Sequence, residues 1–306
     1  MKTTIYVPDI ECESCVKIIS KSLNNKEGIQ LHQVHQESLD VEYDESKIGA
    51  QDIIRIIQDR GFRASEQPFE RKTFKERMRD FNENKKKYAI ERKGIFYSIM
   101  VFIILTALEF IAYMGFLQFI PNFLPKYGIW LLYLNITIVL LGLGIWHFFA
   151  YKGQVTCMTG MMIGMTTGMQ TGMMIGAIVG ATNGFFTGSM VGMLTGAFIG
   201  ATTGKSCGVM GFMQGLMSGI MAGTMGAMIS VMMFTDHINI FMPIYIVLNA
   251  IIVLALPYMV FEEVVEHKKV HRQPLDFATY AAVCVIITAI LVAIMVYGPK
   301  SAFFAG

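Results

Sequence analysis

Residues 160–208 read GMMIGMTTGMQTGMMIGAIVGATNGFFTGSMVGMLTGAFIGATTGKSCG, with glycine at every fourth position, and the spacing resumes from Gly211 to Gly223. In water each glycine would oppose a helix by roughly 1 kcal/mol relative to alanine. In a bilayer the backbone must satisfy its own hydrogen bonds, so a helix remains favoured. Glycines four residues apart also clear one helix face of side chains, which lets neighbouring backbones approach closely. The stretch predicts a membrane-embedded glycine zipper with other membrane helices packed around it.

Methionine forms a second pattern between these glycines. Met213, Met217, Met221 and Met225 each follow a glycine by two residues, which places them about 200° away from it on a helix. Thioether and thiolate sulfur are the ligands that select Cu(I). The alternative interpretation is that methionine fills gaps in a packed or lipid-facing surface. The candidate metal ligands of this region are Met158, Met161, Met165, Met169, Met210, Met213, Met217, Met221 and Met225.

Composition indicates a polytopic membrane protein. Hydrophobic residues make up 54% of the 306 residues, the mean hydropathy is +0.50 and the net charge is only +2. Residues 94–306 are predicted to form an all-α transmembrane domain, with a glycine- and methionine-rich core at residues 155–234. It holds about seven spans longer than the roughly 17 residues needed to cross hydrocarbon, at 95–118, 129–150, 155–181, 185–203, 208–234, 240–261 and 277–297. A re-entrant pair in place of the middle spans is the alternative.

The distribution of basic residues predicts the orientation. With a cytosolic N-terminus, the inside loops hold Lys152, Lys205, Lys268, Lys269 and Arg272, whereas the outside segments hold Lys126 and Lys300. The positive-inside rule therefore predicts a multi-pass protein of the cell membrane with its C-terminus outside. Residues 67–93 are rich in Lys and Arg and predict a basic cytosolic linker helix beside anionic lipid. A nucleic-acid partner is not expected, because no aromatic or groove-reading element accompanies this run.

The N-terminal residues 1–66 predict a separate small domain. Residues 3–7, 29–35 and 39–43 read as strands, residues 16–23 as a helix, Ile53 to Ile57 as the apolar face of a second helix, and residues 61–64 as the start of a last strand. This order, βαββαβ, is that of an α+β ferredoxin-like fold. Cys12 and Cys15 form a CxxC motif at the opening of the first helix, where thiolates are favoured. Two thiolates at this spacing suit a soft metal ion.

This segment resembles the heavy-metal-associated domain of copper chaperones and of the N-terminal regions of metal-pumping ATPases. The resemblance rests on the CxxC loop, the strand start at Gly28–Val34, the strand end at Val41–Asp44 and the Gly61-Phe62 turn. It implies that Cys12 and Cys15 bind one soft metal ion, with Cu(I) favoured because two thiolates at this spacing suit its near-linear coordination. Two departures bear on the metal. Ile10 stands where the family usually has methionine, and the acidic Glu11 resembles the variants that bind Zn(II) or Cd(II).

Two further cysteines open predicted spans at the cytoplasmic edge. Cys157 begins the third span and Cys207 the fifth. If these helices are neighbours, the pair accepts a metal from Cys12 and Cys15; the alternative is that both are inert small hydrophobes. Cys284 is interpreted as a packing residue. Glu109 is an acid within a span and therefore a functional hypothesis, either as a proton-coupling group or as an interhelical hydrogen-bonding partner.

Motifs for covalent chemistry are missing from the sequence, so we expect neither an enzyme nor catalytic or cofactor-binding residues. No phosphate-cradling GxxxxGK[ST] appears, which disfavours an ATP-driven pump. The first hypothesis is a transporter that passes Cu(I) from the soluble module to or across the Met- and Cys-lined bundle. The second is a metal-sensing or metal-delivery scaffold that docks a metallochaperone or metalloprotein or forms homo-oligomers. The third is a channel for another ion, gated by the metal module.

Overall fold

The computed structural model describes residues 2–7, 10, 13–24, 28–35, 38–44, 47–59, 62, 64–68, 89–115, 117–120, 123–150, 157–260 and 276–301. Within these ranges the side chains of residues 13–15, 30–32, 34, 59, 89, 90 and 157 are not described. Contacts divide the chain into two compact units, Met1–Lys87 and Tyr88–Gly306. Most of the predicted linker helix, residues 69–88, lies outside the described residues. The rest of it, from Ala89, belongs to the first helix of the second unit.

The N-terminal unit contains an antiparallel sheet and two helices. Strands β1 (Lys2–Tyr6), β2 (Ile29–His35) and β3 (Ser38–Tyr43) lie in the order β1-β3-β2. Helix α1 (Glu13–Asn24) connects β1 to β2, and α2 (Ala50–Asp59) follows β3. Within the described part of residues 61–68, a single β-bridge pairs Ser65 with Tyr6 on the other edge of β1. This bridge lies where the predicted last strand would pair.

The core of this unit follows from two side-chain periodicities. On β3, Leu39, Val41 and Tyr43 are buried and alternate with less buried residues, as the two-residue period of a strand requires. On α2, Ile53 and Ile57 lie one helical turn apart and are fully buried. They join one apolar cluster with buried residues of β1 and α1, so both helices cover the same face of the sheet.

The second unit is a helical bundle of membrane-spanning character. Six stretches are long and apolar enough to cross a bilayer, and the longest, Phe185–Met233, is folded back into two helices. The described helices are therefore α3 (Ala89–Gly115), α4 (Phe123–Ala150), α5 (Cys157–Asn183), α6 (Phe185–Gly204), α7 (Gly208–Met233), α8 (Ile238–Val260) and α9 (Phe277–Tyr297). Even α6, with 20 residues, extends about 30 Å, the thickness of the hydrocarbon core. Each of the three middle helices is therefore long enough to cross the hydrocarbon core.

Helices α5, α6 and α7 pack through their glycines, and we call this contact the glycine seam. Along α6, Gly188, Gly192, Gly196, Gly200 and Gly204 lie against Gly180, Gly176, Gly172, Gly168 and Gly164 of α5 in that order. Helix α6 also packs on α7: Gly204, Gly200, Gly196 and Gly192 of α6 lie against Gly211, Gly215, Gly219 and Gly223 of α7, in that order. Helix α6 is thus antiparallel to both neighbours. The turns before and after it contain Gly184 and Gly208, whose φ angles of 102° and 71° favour glycine.

The other helices surround α4 and α5. Helix α3 packs on α4 through Gly94, which lies against Trp146 of α4. Helix α9 packs on α4 where Tyr280 and Cys284 lie against Gly142, and α8 packs on α4 where Val253 lies against Gly144.

The start of α3 and the end of α9 lie at opposite ends of the bundle. At one end, Glu91 Oε1 in the first turn of α3 lies 3.5 Å from His147 Nε2 near the end of α4. We call this end of the bundle the proximal end. The backbone N–H of Ser301, after α9, donates to the carbonyl of Asn183 at 2.9 Å, and we call this the distal end.

Candidate metal sites

The CxxC motif lies at the N-terminus of α1. Cys15 is the third residue of this helix, whereas Cys12 and the side chain of Cys15 lie outside the described part of the chain. The N–H groups of a first helical turn have no partner within the helix, and they favour a thiolate at this position. Ile10, two residues before Cys12, is buried in the core, and its N–H donates to the carbonyl of Val7 at 3.3 Å. The segment that leads into the motif is therefore anchored to the sheet.

The helix that carries Cys15 presents a positively charged surface. Lys17 and Lys21 are exposed, and Ile18 between them is 48% exposed. Ile19 and Leu23, on the opposite side, are fully buried. Burial explains why isoleucine stands at position 10, where the family usually has methionine. In this unit the side chain two residues before Cys12 fills the core.

Cys207 lies at the proximal end of the bundle, in the short 3₁₀ turn Lys205–Cys207 between α6 and α7. A Cβ built on Gly160, in the first turn of α5, would lie 3.7 Å from the Cβ of Cys207. Because Cys157 begins α5, the structure brings the starts of the third and fifth predicted spans together. Cys207 is disulfide-bonded, and its partner is not among the described side chains. A disulfide sulfur is not a thiolate, so this form of Cys207 is not a metal ligand.

The predicted methionine ligands lie on the outside of the glycine seam. On α7, Met210, Met213, Met217, Met221 and Met225 are all exposed, with Met217 at 64%. On α5, Met158 and Met165 are exposed, and Met161 and Met169 are half-buried.

The methionines of α7 lie outside the glycine seam because each is about 200° around the helix from the glycine two residues before it. When the glycine face packs inward, the methionine face points outward. These sulfurs do not surround a passage inside one chain; whether they bind metal remains a prediction.

One hydrogen bond between side chains joins α5 and α7 among the described residues. Gln214 Nε2 of α7 lies 3.7 Å from Met165 Sδ of α5, so an exposed amide of α7 contacts one of the predicted sulfur ligands. Sequence reasoning did not select Gln214, because a single amide between methionines has no periodicity to mark it. Among the described residues, no group of three or more His, Cys, Asp or Glu side chains is arranged to hold a metal ion.

Comparison with known proteins identifies one part of the chain. The copper chaperone CopZ of Bacillus subtilis is 31% identical over 61 residues, which are 19% of this chain and 88% of CopZ. Two uncharacterized proteins of Haemophilus influenzae are each 34% identical over 68 residues, 22% of this chain and their whole length. These matches are about as long as the module at residues 1–66. This module belongs to the family of small proteins that includes CopZ.

The CopZ-like module is about a fifth of the chain, and the bundle is not accounted for by these relatives. No protein-family profile and no solved structure matches the chain. Six stretches of the described chain are long and apolar enough to cross a membrane, as the prediction of a multi-pass membrane protein requires. The chain therefore joins a CopZ-like module to a membrane bundle whose function has to be inferred from its own residues.

Cys284 has the packing role that the sequence suggested. It is 3% exposed, carries a free thiol and lies against Gly142 of α4, next to Tyr280. Tyr280 in turn shares a hydrogen bond with Ser98 of α3, at 3.3 Å between the two hydroxyl oxygens. Cys284 is therefore part of the contact among α3, α4 and α9, away from the proximal turn that holds Cys207.

Proposed function

We propose that this chain is a membrane-bound soft-metal handling protein whose CopZ-like module captures Cu(I) through Cys12 and Cys15. The relationship to a copper chaperone carries the proposal. The strand order β1-β3-β2, with Ser65 bridged to the outer edge of β1, supports a ferredoxin-like βαββαβ fold for the module. Cys15 in the first turn of α1 supports a thiolate ligand. Two thiolates suit near-linear Cu(I) and leave room for a third ligand during hand-over. Zn(II) or Cd(II) is the alternative, because Glu11 adds a hard ligand beside Cys12.

The proximal turn of the bundle is our candidate for the next metal-binding step. Cys157 begins the helix whose first turn lies against Cys207, and we propose that these two cysteines form the metal-accepting pair once the disulfide of Cys207 is reduced. Reduction of this bond by a thiol or dithiol reductant takes two electrons and two protons and yields two thiols. Only the reduced pair offers thiolates to Cu(I). Met158 and Met210, next to these cysteines in sequence, add thioether ligands at the same end of the bundle.

Beyond this step the geometry favours transfer to a partner over passage through one bundle. A Cu(I) ion on Met217 or Met221 of a lone bundle would face hydrocarbon, which is a costly place for a charge. A thioether path across the bilayer therefore needs a second protein surface against α7, from another copy or from a membrane metalloprotein. The contact of backbones along the glycine seam leaves no opening among α5, α6 and α7, which disfavours the channel hypothesis. In this proposal the chain moves metal and catalyses no covalent reaction.

We place the proximal end and the CopZ-like module in the cytosol and the C-terminus outside the cell membrane. The basic residues support this orientation: Lys205 lies in the proximal turn, and Lys152, Lys268, Lys269 and Arg272 follow in sequence the helices α4 and α8, which end at the proximal side. The orientation also puts the proximal turn on the side where reducing thiols are abundant.

Metal stoichiometry tests the capture step. The full-length protein, purified in detergent and reduced, would be loaded with Cu(I) and exposed to a chelator of graded affinity. We expect Cys12→Ser/Cys15→Ser to lose the tightest Cu(I) equivalent and Cys284→Ser, a buried thiol in the bundle, to keep it. Equal retention by both variants would remove the module from the proposal. Parallel loading with Zn(II) and Cd(II) would identify the preferred metal.

Metal flux into proteoliposomes separates transport from docking. The triple variant Met217→Leu, Met221→Leu, Met225→Leu keeps side-chain volume while removing sulfur. Met190→Leu/Met193→Leu on α6 is the matched control. Transport along α7 predicts that flux falls in the triple variant alone. If neither variant changes flux, the α7 sulfurs are not the path, and delivery to a docked metalloprotein becomes the preferred function.

A further inference from the structure

Two polar side chains meet within the membrane-spanning part of the bundle. Asn135 Nδ2 of α4 donates a hydrogen bond to Glu109 Oε2 of α3 at 2.7 Å. Glu109 precedes the end of α3 by six residues, or about 9 Å, and Asn135 follows the start of α4 by twelve, or about 18 Å. Asn135 is fully buried, and Glu109 is half-buried at the surface of the bundle. The pair therefore lies at a depth where hydrocarbon surrounds the protein.

The pair contains two buried oxygen atoms that lack a hydrogen-bonding partner. Glu109 Oε1 and Asn135 Oδ1 accept no hydrogen bond from any described residue. An ionised Glu109 would carry its charge in an apolar environment with one donor, which is costly. A proton on Oε1 removes the charge and turns that oxygen into a donor. Asn135 Oδ1, on the side chain that already contacts Glu109, is a buried acceptor that also lacks a donor.

No described cation offsets the charge of Glu109. The other titratable groups on α3 and on the helices packed against it are Glu91, Arg92, Lys93, Tyr97 and Tyr113 of α3, Lys126, Tyr127, Tyr133 and His147 of α4, and Tyr280, Cys284 and Tyr297 of α9. His147 pairs with Glu91 at the proximal end, and Lys300, after α9, donates to Tyr127. Glu109 forms no salt bridge with any described residue, so a proton is the simplest neutralising partner.

We propose that Glu109 and Asn135 form a proton-binding site inside the bilayer, in which the carboxylic acid and the amide each donate one hydrogen bond. A metal cation is a poorer ligand for the site, because Ca²⁺ takes six to eight oxygen ligands and the pair provides two free ones. The site does not rest on metal binding by the module, and it would give the membrane unit a protonation step of its own.

Labelling with dicyclohexylcarbodiimide, which reacts with protonated carboxyl groups in membranes, tests the site. The full-length protein in lipid nanodiscs would be labelled over a range of pH and the modified residue identified by mass spectrometry. We expect labelling of Glu109 that falls about tenfold for each pH unit above its midpoint. Glu91→Gln is the matched control and should leave this labelling unchanged. Absence of labelling at Glu109, or protection of Glu109 by sodium ions at constant pH, would overturn the proposal.

Infrared spectroscopy provides a second readout that a purely structural hydrogen bond would not give. A protonated Glu109 should contribute a carboxylic-acid carbonyl band that is lost in Glu109→Gln, a variant that keeps an acceptor for Asn135. In Asn135→Leu the band should move to higher frequency, because the carbonyl oxygen loses its donor. A spectrum of Glu109→Gln identical to that of the wild type in this region would show that Glu109 is ionised and would refute the site.

Discussion

The close approach of α6 and α7 makes a sharp prediction for Gly215→Ala. A Cβ at Gly215 would lie 2.0 Å from the carbonyl oxygen of Gly200 and 2.4 Å from its carbonyl carbon. Carbon atoms in good contact are about 3.5–4.0 Å apart, so the two backbones have to separate by roughly 1–1.5 Å. The obstacle is backbone, which has no rotamer to change. Over-packing of this kind costs about 1–3 kcal/mol, and a gap of this size also weakens neighbouring dispersion contacts. We expect a loss of about 2–3 kcal/mol in the free energy of unfolding.

Reversible unfolding in mixed micelles of increasing SDS fraction, followed by circular dichroism, measures this loss. Gly128→Ala in α4 is the matched control, because the nearest atom to its Cβ would be Leu124 Cγ at an ordinary 3.8 Å. The double variant Gly200→Ala/Gly215→Ala is also informative. The first methyl already separates the helices, so the second should cost about 1 kcal/mol less than it does alone. Equal stability of Gly215→Ala and Gly128→Ala, or strict additivity in the double variant, would refute the seam.

Two further predictions concern the two ends of the bundle. Asn183→Ala removes the hydrogen bond that Asn183 Nδ2 donates to the carbonyl of Ile294 at 3.0 Å. It should lower the free energy of unfolding by about 1 kcal/mol in the same SDS titration. Asn239→Ala is the control, because Asn239 is exposed and its replacement should leave the free energy of unfolding unchanged. A maleimide probe should label Cys207 only after a reductant has been added, and the buried Cys284 only after unfolding; labelling of Cys207 without reductant would contradict the disulfide.

Local periodicity predicted much of the secondary structure. The alternation in β3 and the paired isoleucines of α2 are short-range patterns, and the structure follows them. Helix α1 begins at Glu13, three residues before the predicted start, which places Cys15 within its first turn. Glycine spacing also predicted which faces of α5, α6 and α7 lie together, because a face without side chains is where backbones approach most closely.

The contacts between helices were harder to read from the sequence. The 200° step correctly places Met217 opposite the glycine face of its helix, but it does not say what covers that opposite face. In the structure α7 lies at the edge of the seam, so its methionines are exposed instead of lining a passage. Likewise, the hydrogen bond between Glu109 and Asn135 joins residues 26 apart, and no spacing rule links an acid on one helix to an amide on the next.

The placement of cysteine and methionine suggests an order of Cu(I) affinity among the proposed sulfur ligands of this protein. In the proposed function, thiolates at Cys12 and Cys15 would hold Cu(I) tightly and neutral thioethers would hold it less tightly, so metal would leave the methionines more readily than the cysteines. Transfer from module to bundle would then be favoured only through a site of similar strength, and we propose that a reduced Cys207 with its partner thiol is that site at the proximal end. With the bond at Cys207 oxidised, this proposed intermediate step would be missing and Cu(I) would stay on the module. The proposal therefore predicts that the redox state of this turn controls whether the CopZ-like module can supply the membrane unit.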